Sequence, residues 1–270
     1  MSFQTHRQED LVWHTSTLLT RPEIRHGFTT RLGGVSPAPW DSLNLGMGRG
    51  DGDACVEENY RRICAALGVD VRKTVLSRQV HEDNVRLVTA EDAGKGLFRQ
   101  RDYTSVDALI SREPGLVLVV FSADCGTVLL YDPVHRAMGA VHAGWRGVAL
   151  GLAAKTVEAM SAAFGSRPED LLCALGPSIG SCCFETHDDV PQALEAALGD
   201  AVRPYMERRG AKWHIDLKAI NVHWLTQAGV DRAHVDVCPH CTACMPELYW
   251  SHRKMGEARG NQAAMISLCE

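Results

Sequence analysis

The chain has 270 residues, of which 45% are hydrophobic and 23% charged, and its formal net charge is −5. This is an ordinary globular composition, and the length is sufficient for one large domain. Lysine and arginine are scattered rather than gathered into a stripe, which argues against a nucleic-acid partner. The longest apolar run, residues 116–121, is far shorter than the ~20 residues that cross a bilayer, so we expect no membrane partner.

The cysteines and the N-terminal residues bear on the compartment. The first residues lack a basic stretch followed by an apolar one, so we expect no signal peptide. Ten cysteines in such a chain indicate reduced thiols or metal ligands rather than disulfides. We therefore predict a cytoplasmic protein, and we expect it to be a monomer or a weak dimer.

The first predicted elements are a turn-rich segment and a helix. Residues 33–53 are rich in glycine and proline, and a segment of that kind within a compact domain is often functional. Asp53 is then the predicted N-cap of a helix that ends at Gly68. The apolar residues between them, Val56 and Tyr60 among them, recur with helical spacing.

The middle of the chain is predicted to be rich in strands, because turn residues separate short apolar or alternating runs. The predicted strands are residues 74–80, 85–89, 106–111, 116–122, 127–131, 137–141, 171–175 and 234–237. Helical periodicity predicts helices over residues 148–164, 187–198 and 216–228. Clustered strands with flanking helices favour an α+β fold or mixed α/β layers.

Three residues that bind soft metals follow predicted strands. His81 comes directly after the first strand, Cys125 lies shortly after the fourth, and His142 directly follows the sixth. If these strands are neighbours in one sheet, the three side chains converge. Two imidazoles and one thiolate suit zinc, and three protein ligands leave a fourth position open for water or substrate. The alternative is three ordinary core residues, because separations of 44 and 17 residues obey no short spacing rule.

Seven stretches of the chain occur in the order typical of one known family. They are HGFTTRLGGVS from position 26, SLNLG from 42, SRQVH from 77, SADC from 122, AVHAGWRG from 140, LGPSIG from 175 and SHRK from 251. On these stretches the chain resembles the laccase-domain, or YfiH-like, family. Its members are also described as multicopper polyphenol oxidoreductases or purine nucleoside phosphorylases. The resemblance runs from about residue 24 to the C-terminus.

The resemblance implies both a fold and an activity. The implied fold is α+β, with mixed β-sheets layered with helices in one catalytic domain over residues 1–270, of which roughly the first 20 are peripheral. One zinc ion is implied on His81, Cys125 and His142. The implied reactions are phosphorolysis of adenosine, inosine and methylthioadenosine and deamination of adenosine, so the expected partners are a purine nucleoside and phosphate. Copper is less favoured, because the twelve histidines form no paired H-x-H motif.

The chain departs from the family pattern at three places. Glu82 stands where the family usually has glycine after the first ligand histidine, and Gly126-Thr127 replaces an x-Pro pair after Cys125. Residues 258–261 read ARGN, where the family usually has T-G-R followed by a small or amide residue. Because the three ligands are retained, these departures concern the substrate wall and the preferred nucleoside.

Further roles are predicted for polar residues in the same stretches. The residues expected to contact substrate or take part in catalysis are Arg31, Asn44, Asp124, Cys125, Arg146 and Arg253. Arginine binds phosphate through paired hydrogen bonds, so the three arginines are assigned to phosphate or sugar and Asn44 to orienting it. Asp124, beside the cysteine ligand, is the predicted acid/base. The structural alternatives are a turn clamp for Arg146, a strand-end cap for Asp124 and a surface charge for Arg253.

Two other motifs compete as functional sites. Cys238, Cys241 and Cys244 have the C-x2-C-x2-C spacing of a zinc knuckle or of part of an iron–sulfur motif, although Leu248 replaces the further cysteine of the latter. Ser178 lies in a G-x-S-x-G pattern, like the nucleophile of a serine hydrolase, but the residues after it are a poor start for a helix.

Two other activities also remain open. A cysteine hydrolase would use Cys125 as nucleophile and His142 as base. Alternatively, the chain is a polyphenol oxidase or a cell-wall editing factor, as some relatives are labelled.

Overall fold

The computed structural model describes residues 3–270, which form fifteen β-strands and six α-helices. The strands are β1 (Phe3–Gln8), β2 (Leu11–Ser16), β3 (Ile24–Thr29), β4 (Thr74–Leu76), β5 (Val85–Leu87), β6 (Ala108–Ser111), β7 (Val117–Ser122), β8 (Gly126–Asp132), β9 (Ala137–Ala143), β10 (Leu172–Leu175), β11 (Glu185–Thr186), β12 (Met206–Arg209), β13 (Lys212–Ile215), β14 (Val235–Val237) and β15 (Gln262–Leu268). The helices are α1 (Asp53–Leu67), α2 (Trp145–Ala149), α3 (Leu152–Phe164), α4 (Asp189–Leu198), α5 (Leu217–Gln227) and α6 (His252–Met255).

Two six-stranded mixed sheets form the centre of the molecule. The first has the order β1-β2-β3-β15-β7-β4, and its one parallel pair is β4 with β7. The second has the order β14-β10-β8-β9-β6-β5, and its two outermost pairs are parallel. A third, antiparallel sheet has the order β11-β13-β12. The predicted α+β class with mixed sheets and flanking helices is confirmed.

The two large sheets pack face to face. Leu118 of β7 and Ile266 of β15 lie in the same buried cluster as Leu129 of β8 and Ala140 of β9. Side chains alternate between the two faces of a strand, so the next residues along must pack on the outside. Both faces of the central strands are therefore buried, which accounts for their nearly continuous apolar sequences.

Helices cover the outer face of each sheet. On the first sheet, Val119 of β7 packs in a cluster with Ile63 of α1. On the second, Leu130 of β8 shares a cluster with Val157 of α3 and Ile220 of α5. The order of layers is thus helix, sheet, sheet, helices.

The element boundaries differ from the sequence predictions at two helices. The region predicted as one helix over residues 148–164 forms α2 and α3, which are separated at Leu150 and Gly151. Helix α1 ends at Gly68 as predicted, but its N-cap is Gly52, and Asp53 is the first helical residue. Asp53 still places a negative charge in the first turn, where it is favourable.

The sequence patterns did not identify the first three strands, β15 or the small third sheet. Strand β15 is central, since it pairs with both β3 and β7 and every residue in it is buried. Strand β1 forms an edge of the first sheet, whereas Leu11 and Val12 of β2 are buried. No helix among the described residues combines the length and apolar character that a bilayer span requires.

Candidate metal centre and cavity

The three predicted metal ligands come together from two different sheets. His81 lies in the loop between β4 and β5, and Cys125 lies in the turn that joins β7 of the first sheet to β8 of the second. His142 lies near the end of β9, in the second sheet. The expectation of neighbouring strands in one sheet was wrong, because the side chains converge across two sheets that face each other.

The ligand atoms have the spacing of a site for one soft metal ion. The nitrogen and sulfur atoms of His81, Cys125 and His142 all lie within 4.8 Å of one another. His81 Nε2 is 3.9 Å from Cys125 Sγ, and the two imidazole rings stand edge to face with centroids 5.0 Å apart. Zinc–ligand distances of about 2.0–2.3 Å place such atoms roughly 3.6 Å apart in a tetrahedral site. The three residues therefore fit zinc with little adjustment.

Asp107 connects the two histidines, and the sequence interpretation missed it. Its fully buried carboxylate accepts a hydrogen bond from His142 Nδ1 at 2.8 Å, which directs His142 Nε2 towards the other ligands. The same carboxylate accepts the backbone N–H groups of Val80, His81 and Glu82 at 3.0–3.2 Å. Burial alone would raise the pKa of Asp107, but these donors lower it.

Two further contacts hold the ligand loops close together. The side-chain amide of Gln79 donates to the carbonyl of Phe121 and accepts its N–H, so it ties the segment before His81 to the end of β7. A Cβ atom on Gly144 would lie 2.8 Å from a ring carbon of His81 and 3.1 Å from Cys125 Sγ. Because real Cβ atoms do not approach so closely, glycine is required at this point.

Cys125 and His142 form a polarised pair. Burial would raise the pKa of the Cys125 thiol, but His142 and His81 outweigh it and lower the pKa to about 6. Burial would likewise lower the pKa of His142, yet Cys125 and Asp107 raise it to about 9. A thiol that ionises this readily is suited to act as a metal ligand or as a nucleophile.

The ligands line a cavity of about 580 Å³ that also contains four arginines. These are Arg49, Arg78, Arg101 and Arg259. The pKa of Arg259 is lowered by burial and by the charge of Arg49, and that of Arg101 is lowered by burial, with a smaller contribution from Arg78. Like charges held together in this way favour a bound anion.

The remaining lining of the cavity offers one carboxylate and four apolar side chains. Glu257 is the acidic residue among those that line the cavity, and it pairs with Arg49 at 3.6 Å. Phe121 and Met47 provide apolar surface. The arrangement combines a metal site, an anion site and an apolar surface in one space.

The three arginines predicted to bind phosphate lie outside this cavity lining. Arg31 donates to the carbonyls of Asp41 and Pro246 and stacks on Trp250. Arg253 donates to two backbone carbonyls in the segment before α4. Arg146 is exposed and stacks on its neighbour Trp145. The structure does not bring these guanidinium groups to the metal ligands, because other partners hold two of them and the third faces solvent.

Asn44 lies behind the cavity wall and orients it. Its Oδ1 accepts the backbone N–H groups of Gly46 and Asn261, each at 2.9 Å, and both of these residues line the cavity. Its Nδ2 donates to Asp51 at 2.9 Å. Asn44 therefore positions the wall rather than facing the cavity itself.

The carboxylate of Asp124 is engaged by three donors. It accepts hydrogen bonds from the Thr242 hydroxyl at 2.6 Å, the Ser251 hydroxyl at 3.0 Å and the Arg253 N–H at 2.7 Å. These contacts anchor the residue before Cys125 to the C-terminal part of the chain. This placement matches the structural alternative for Asp124 more closely than the acid/base role.

The structure agrees with the sequence interpretation at Ser178 and differs from the predicted spacing at the three cysteines. Ser178 is buried, and the next α-helix along the chain begins only at Asp189, so the turn lacks the helix of a serine-hydrolase elbow. Cys241 and Cys244 are close in space to Cys182 and Cys183, whereas Cys238 does not belong to that group.

The comparisons with known proteins identify the family of this chain. The model of the family described as "Multi-copper polyphenol oxidoreductase laccase" matches residues 25–269. The chain belongs to this family. YlmD of Bacillus subtilis, a laccase-family relative named purine nucleoside phosphorylase, is 32% identical over 92% of this chain and 90% of its own length. YfiH of Escherichia coli, named likewise, is 35% identical over 89% of this chain and 92% of its own length.

A solved laccase-family structure has the same fold. The crystal structure of YlmD from Geobacillus stearothermophilus matches with a TM-score of 0.91 and 31% identity, covering 100% of this chain and 99% of that chain.

Two places where this chain departs from the laccase-family pattern lie at or near the site. The Glu82 carboxylate accepts hydrogen bonds from Ser105 and Asn84, so it binds its own loop. Arg259, in the altered tail, is buried and lines the cavity next to Asn261. Three of the four cavity arginines lie outside the stretches that identified the family, but Arg78 was visible three residues before the first ligand histidine.

Proposed function

We propose that this chain is a zinc-dependent purine nucleoside phosphorylase that acts on adenosine, inosine and methylthioadenosine and also deaminates adenosine. The observation that supports it most is one cavity that combines His81, Cys125 and His142 with four arginines. The relatives named purine nucleoside phosphorylase support the same class of reaction.

The arginines suit the phosphate that phosphorolysis consumes. Guanidinium groups bind phosphate oxygens through paired, charge-assisted hydrogen bonds. Arg259 and Arg101 each have another arginine nearby, so a doubly charged anion relieves repulsion that the free cavity contains. We assign phosphate binding to four arginines: Arg49, Arg78, Arg101 and Arg259. We assign to Asn44 the role of holding the part of the wall that contains Arg259.

The apolar lining suits a purine. Phe121 offers an aromatic surface on which a base can stack, and Met47 adds a flexible contact that adapts to different purines. Glu257 also lines the cavity, and we assign its carboxylate to accepting a ribose hydroxyl. A substrate held in this way has its sugar between the base and the phosphate.

In the proposed reaction, a phosphate oxygen forms a bond to C1′ of the ribose as the bond from C1′ to the purine nitrogen breaks. Positive charge develops on the ribose, and the base leaves with the electron pair and takes up a proton. The arginines orient the phosphate, and the anionic phosphate stabilises the developing charge.

The metal is proposed to be zinc held by His81, Cys125 and His142. Two nitrogens and one sulfur suit zinc, and three protein ligands leave one position open. When bound, zinc supplies Lewis-acid polarisation for either phosphorolysis or deamination. Asp107 fixes the orientation of His142, and Gly144 allows the three ligand atoms to approach one another.

A multicopper oxidase activity is less well supported. Among the described residues, two groups of His, Cys, Asp and Glu have metal-binding spacing, and only one of them contains histidine. Multicopper chemistry requires several histidine-rich sites. The donor sets of this chain therefore favour zinc over a multicopper mechanism.

A cysteine hydrolase remains the second candidate, and one observation favours it. Cys125, His142 and Asp107 are linked in order, with the pKa of the thiol lowered and that of the imidazole raised. A nucleophile, a base and an orienting carboxylate have this arrangement. A metal-free enzyme that keeps full activity, and loses it on alkylation of Cys125, would establish this candidate instead.

The proposed function is tested by product analysis. Purified protein is incubated with adenosine or inosine, with and without phosphate. Phosphate-dependent formation of ribose 1-phosphate and free base is the expected phosphorylase result, and inosine from adenosine is the deaminase result. His81→Ala should abolish both activities together with zinc binding at the site of Cys125 and His142, whereas His135→Ala, a histidine that pairs with Asp132 elsewhere, should leave them unchanged. Phosphate-independent cleavage, or no turnover of either nucleoside, contradicts the proposal.

A further inference from the structure

A second group of metal-binding side chains lies outside the cavity. Cys182 and Cys183 lie in the loop between β10 and β11, and Cys241 and Cys244 lie in the segment after β14. Their four sulfur atoms all lie within 4.8 Å of one another. Cys244 Sγ is 3.5 Å from Cys182 Sγ and 3.4 Å from Cys183 Sγ. Two segments about sixty residues apart in sequence thus bring four thiols to one point.

We propose that Cys182, Cys183, Cys241 and Cys244 bind a structural zinc ion. Zinc–sulfur bonds of about 2.3 Å in a tetrahedron place the sulfur atoms roughly 3.8 Å apart, which is close to the measured separations. A disulfide requires sulfur atoms about 2.05 Å apart, so the four atoms are arranged as separate ligands rather than as bonded pairs. Four protein ligands close the coordination sphere, as in structural rather than catalytic zinc sites.

Backbone and charged groups surround part of the cluster. The backbone N–H of Gly180 donates to Cys241 Sγ at 3.2 Å, a contact that stabilises a metal-bound thiolate. A Cβ atom on Gly180 would lie 3.3 Å from Cys182 Sγ, so the glycine lets the backbone pass close to the cluster. Lys218 donates to the carbonyls of Cys238 and His240 on the same segment, and its positive charge interacts with Cys241 and Cys182.

The ligand set differs from the one that the C-x2-C-x2-C spacing predicted. Cys238 is fully buried, its N–H donates to Leu175, and its carbonyl accepts Lys218. Two of the three cysteines in that pattern therefore join a pair from another loop. The adjacent Cys182 and Cys183 gave no sequence signal for this, because the partner segment lies far along the chain.

The zinc ion would fix the segment that anchors Asp124. Between the two cysteine ligands lies Thr242, whose hydroxyl donates to Asp124, the residue before Cys125. The N–H of Thr242 donates to the carbonyl of Ser178, which ties the two ligand segments together. The second zinc site would thus join two segments of the chain behind the cavity wall. Its existence does not depend on the nucleoside chemistry proposed above.

Metal stoichiometry tests the proposal. Protein purified under reducing conditions and supplied with zinc should contain two zinc ions per chain by elemental analysis. Cys241→Ser and Cys244→Ser should each lose one of them, while Cys238→Ser, the matched control in the same segment, should keep both. His81→Ala should lose the other ion, so the two sites are counted separately. Two ions retained in both serine variants, or a single ion in the unchanged protein that Cys241→Ser keeps and His81→Ala loses, would overturn the proposal.

A measurement on the unchanged protein covers the case in which a variant does not fold. In the zinc-loaded protein, the four cluster thiols should resist alkylation by iodoacetamide, and chelation of the metal should expose them. Cys55 and Cys269, which are half-buried and outside the cluster, serve as internal references. Four thiols that alkylate equally with and without zinc, or that occur as disulfides without metal, contradict the proposed site.

Discussion

Asp107 contacts both histidines of the metal centre, although it belongs to a different segment from either. Its carboxylate orients His142 through Nδ1 and fixes the backbone around His81 through three N–H groups. The positions of both candidate ligand histidines therefore depend on a residue that is not itself a candidate ligand.

Replacement of this carboxylate should weaken metal binding. In Asp107→Asn, one oxygen becomes an NH2 group that faces backbone donors, so the loop at His81 loses its fixed position. We expect zinc affinity to fall by about 10- to 100-fold, as measured by competition with a chromogenic chelator. Asp132→Asn is the matched control, since Asp132 is also fully buried and pairs with His135 away from the cavity. Equal zinc affinities for the two variants would contradict the role of Asp107.

The arginines give a prediction that separates the two sets named for phosphate. Arg259 lines the cavity, whereas Arg146 is exposed and stacks on Trp145. Loss of a charge-assisted hydrogen bond costs about 1.5–3 kcal/mol, so Arg259→Gln should raise the KM for phosphate roughly 10- to 150-fold. Arg146→Gln should leave it within about twofold. Initial rates at varied phosphate measure both. The opposite order of effects would favour the assignment made from sequence alone.

At the scale of elements, the turn between β9 and α2 controls how closely the ligands approach. Gly144→Ala places a methyl group 2.8 Å from His81 and 3.1 Å from Cys125 Sγ, so both ligands must move. We expect zinc affinity to fall about tenfold or more, with little change in circular dichroism. Gly147→Ala, three residues later, meets its nearest atom at 3.5 Å and should bind zinc normally. Normal zinc binding by Gly144→Ala would show that the turn is not limiting.

Elements with local signals could be predicted from the sequence, and elements set by distant contacts could not. The candidate metal ligands follow recognisable apolar runs, and the sequence motifs that contain them are short and continuous. Strand β15 was missed because burial on both faces removes the alternation that marks a strand. Asp107 and Arg259 were missed because their importance comes from partners across the fold. The division of residues 148–164 into two helices occurs at Gly151, whose φ of 70° interrupts the helical backbone.

At the scale of the whole molecule, the pairing of two sheets creates the site. Cys125 lies in the turn that connects the sheets, and the histidines approach it from either side. The cluster of four thiols lies beside the segment that supports the same turn through Asp124. The candidate site is thus located where the two sheets are joined. The packing interactions between the sheets therefore also keep the candidate ligands in position.

Two buried histidines in the first sheet should make the whole fold sensitive to acid. Burial lowers the pKa of His14 and of His26 to about 4. The neighbouring His240 and His6 lower the pKa of His14 further, and His6 does the same for His26. His26 Nε2 also accepts the N–H of Ser16 at 2.9 Å, a bond that a proton on this nitrogen would break. In the unfolded chain these histidines take up protons near pH 6.5. The free energy of unfolding should therefore be highest above that pH and fall as the pH drops to about 4, by about 3 kcal/mol for each histidine. Urea unfolding between pH 7 and pH 4 measures this loss.

His26→Gln keeps an acceptor for Ser16 but has no titrating ring, so its stability should depend less on pH, whereas the half-exposed His234→Gln should follow the unchanged protein. The same pH dependence in all three proteins would place the acid sensitivity elsewhere in the molecule.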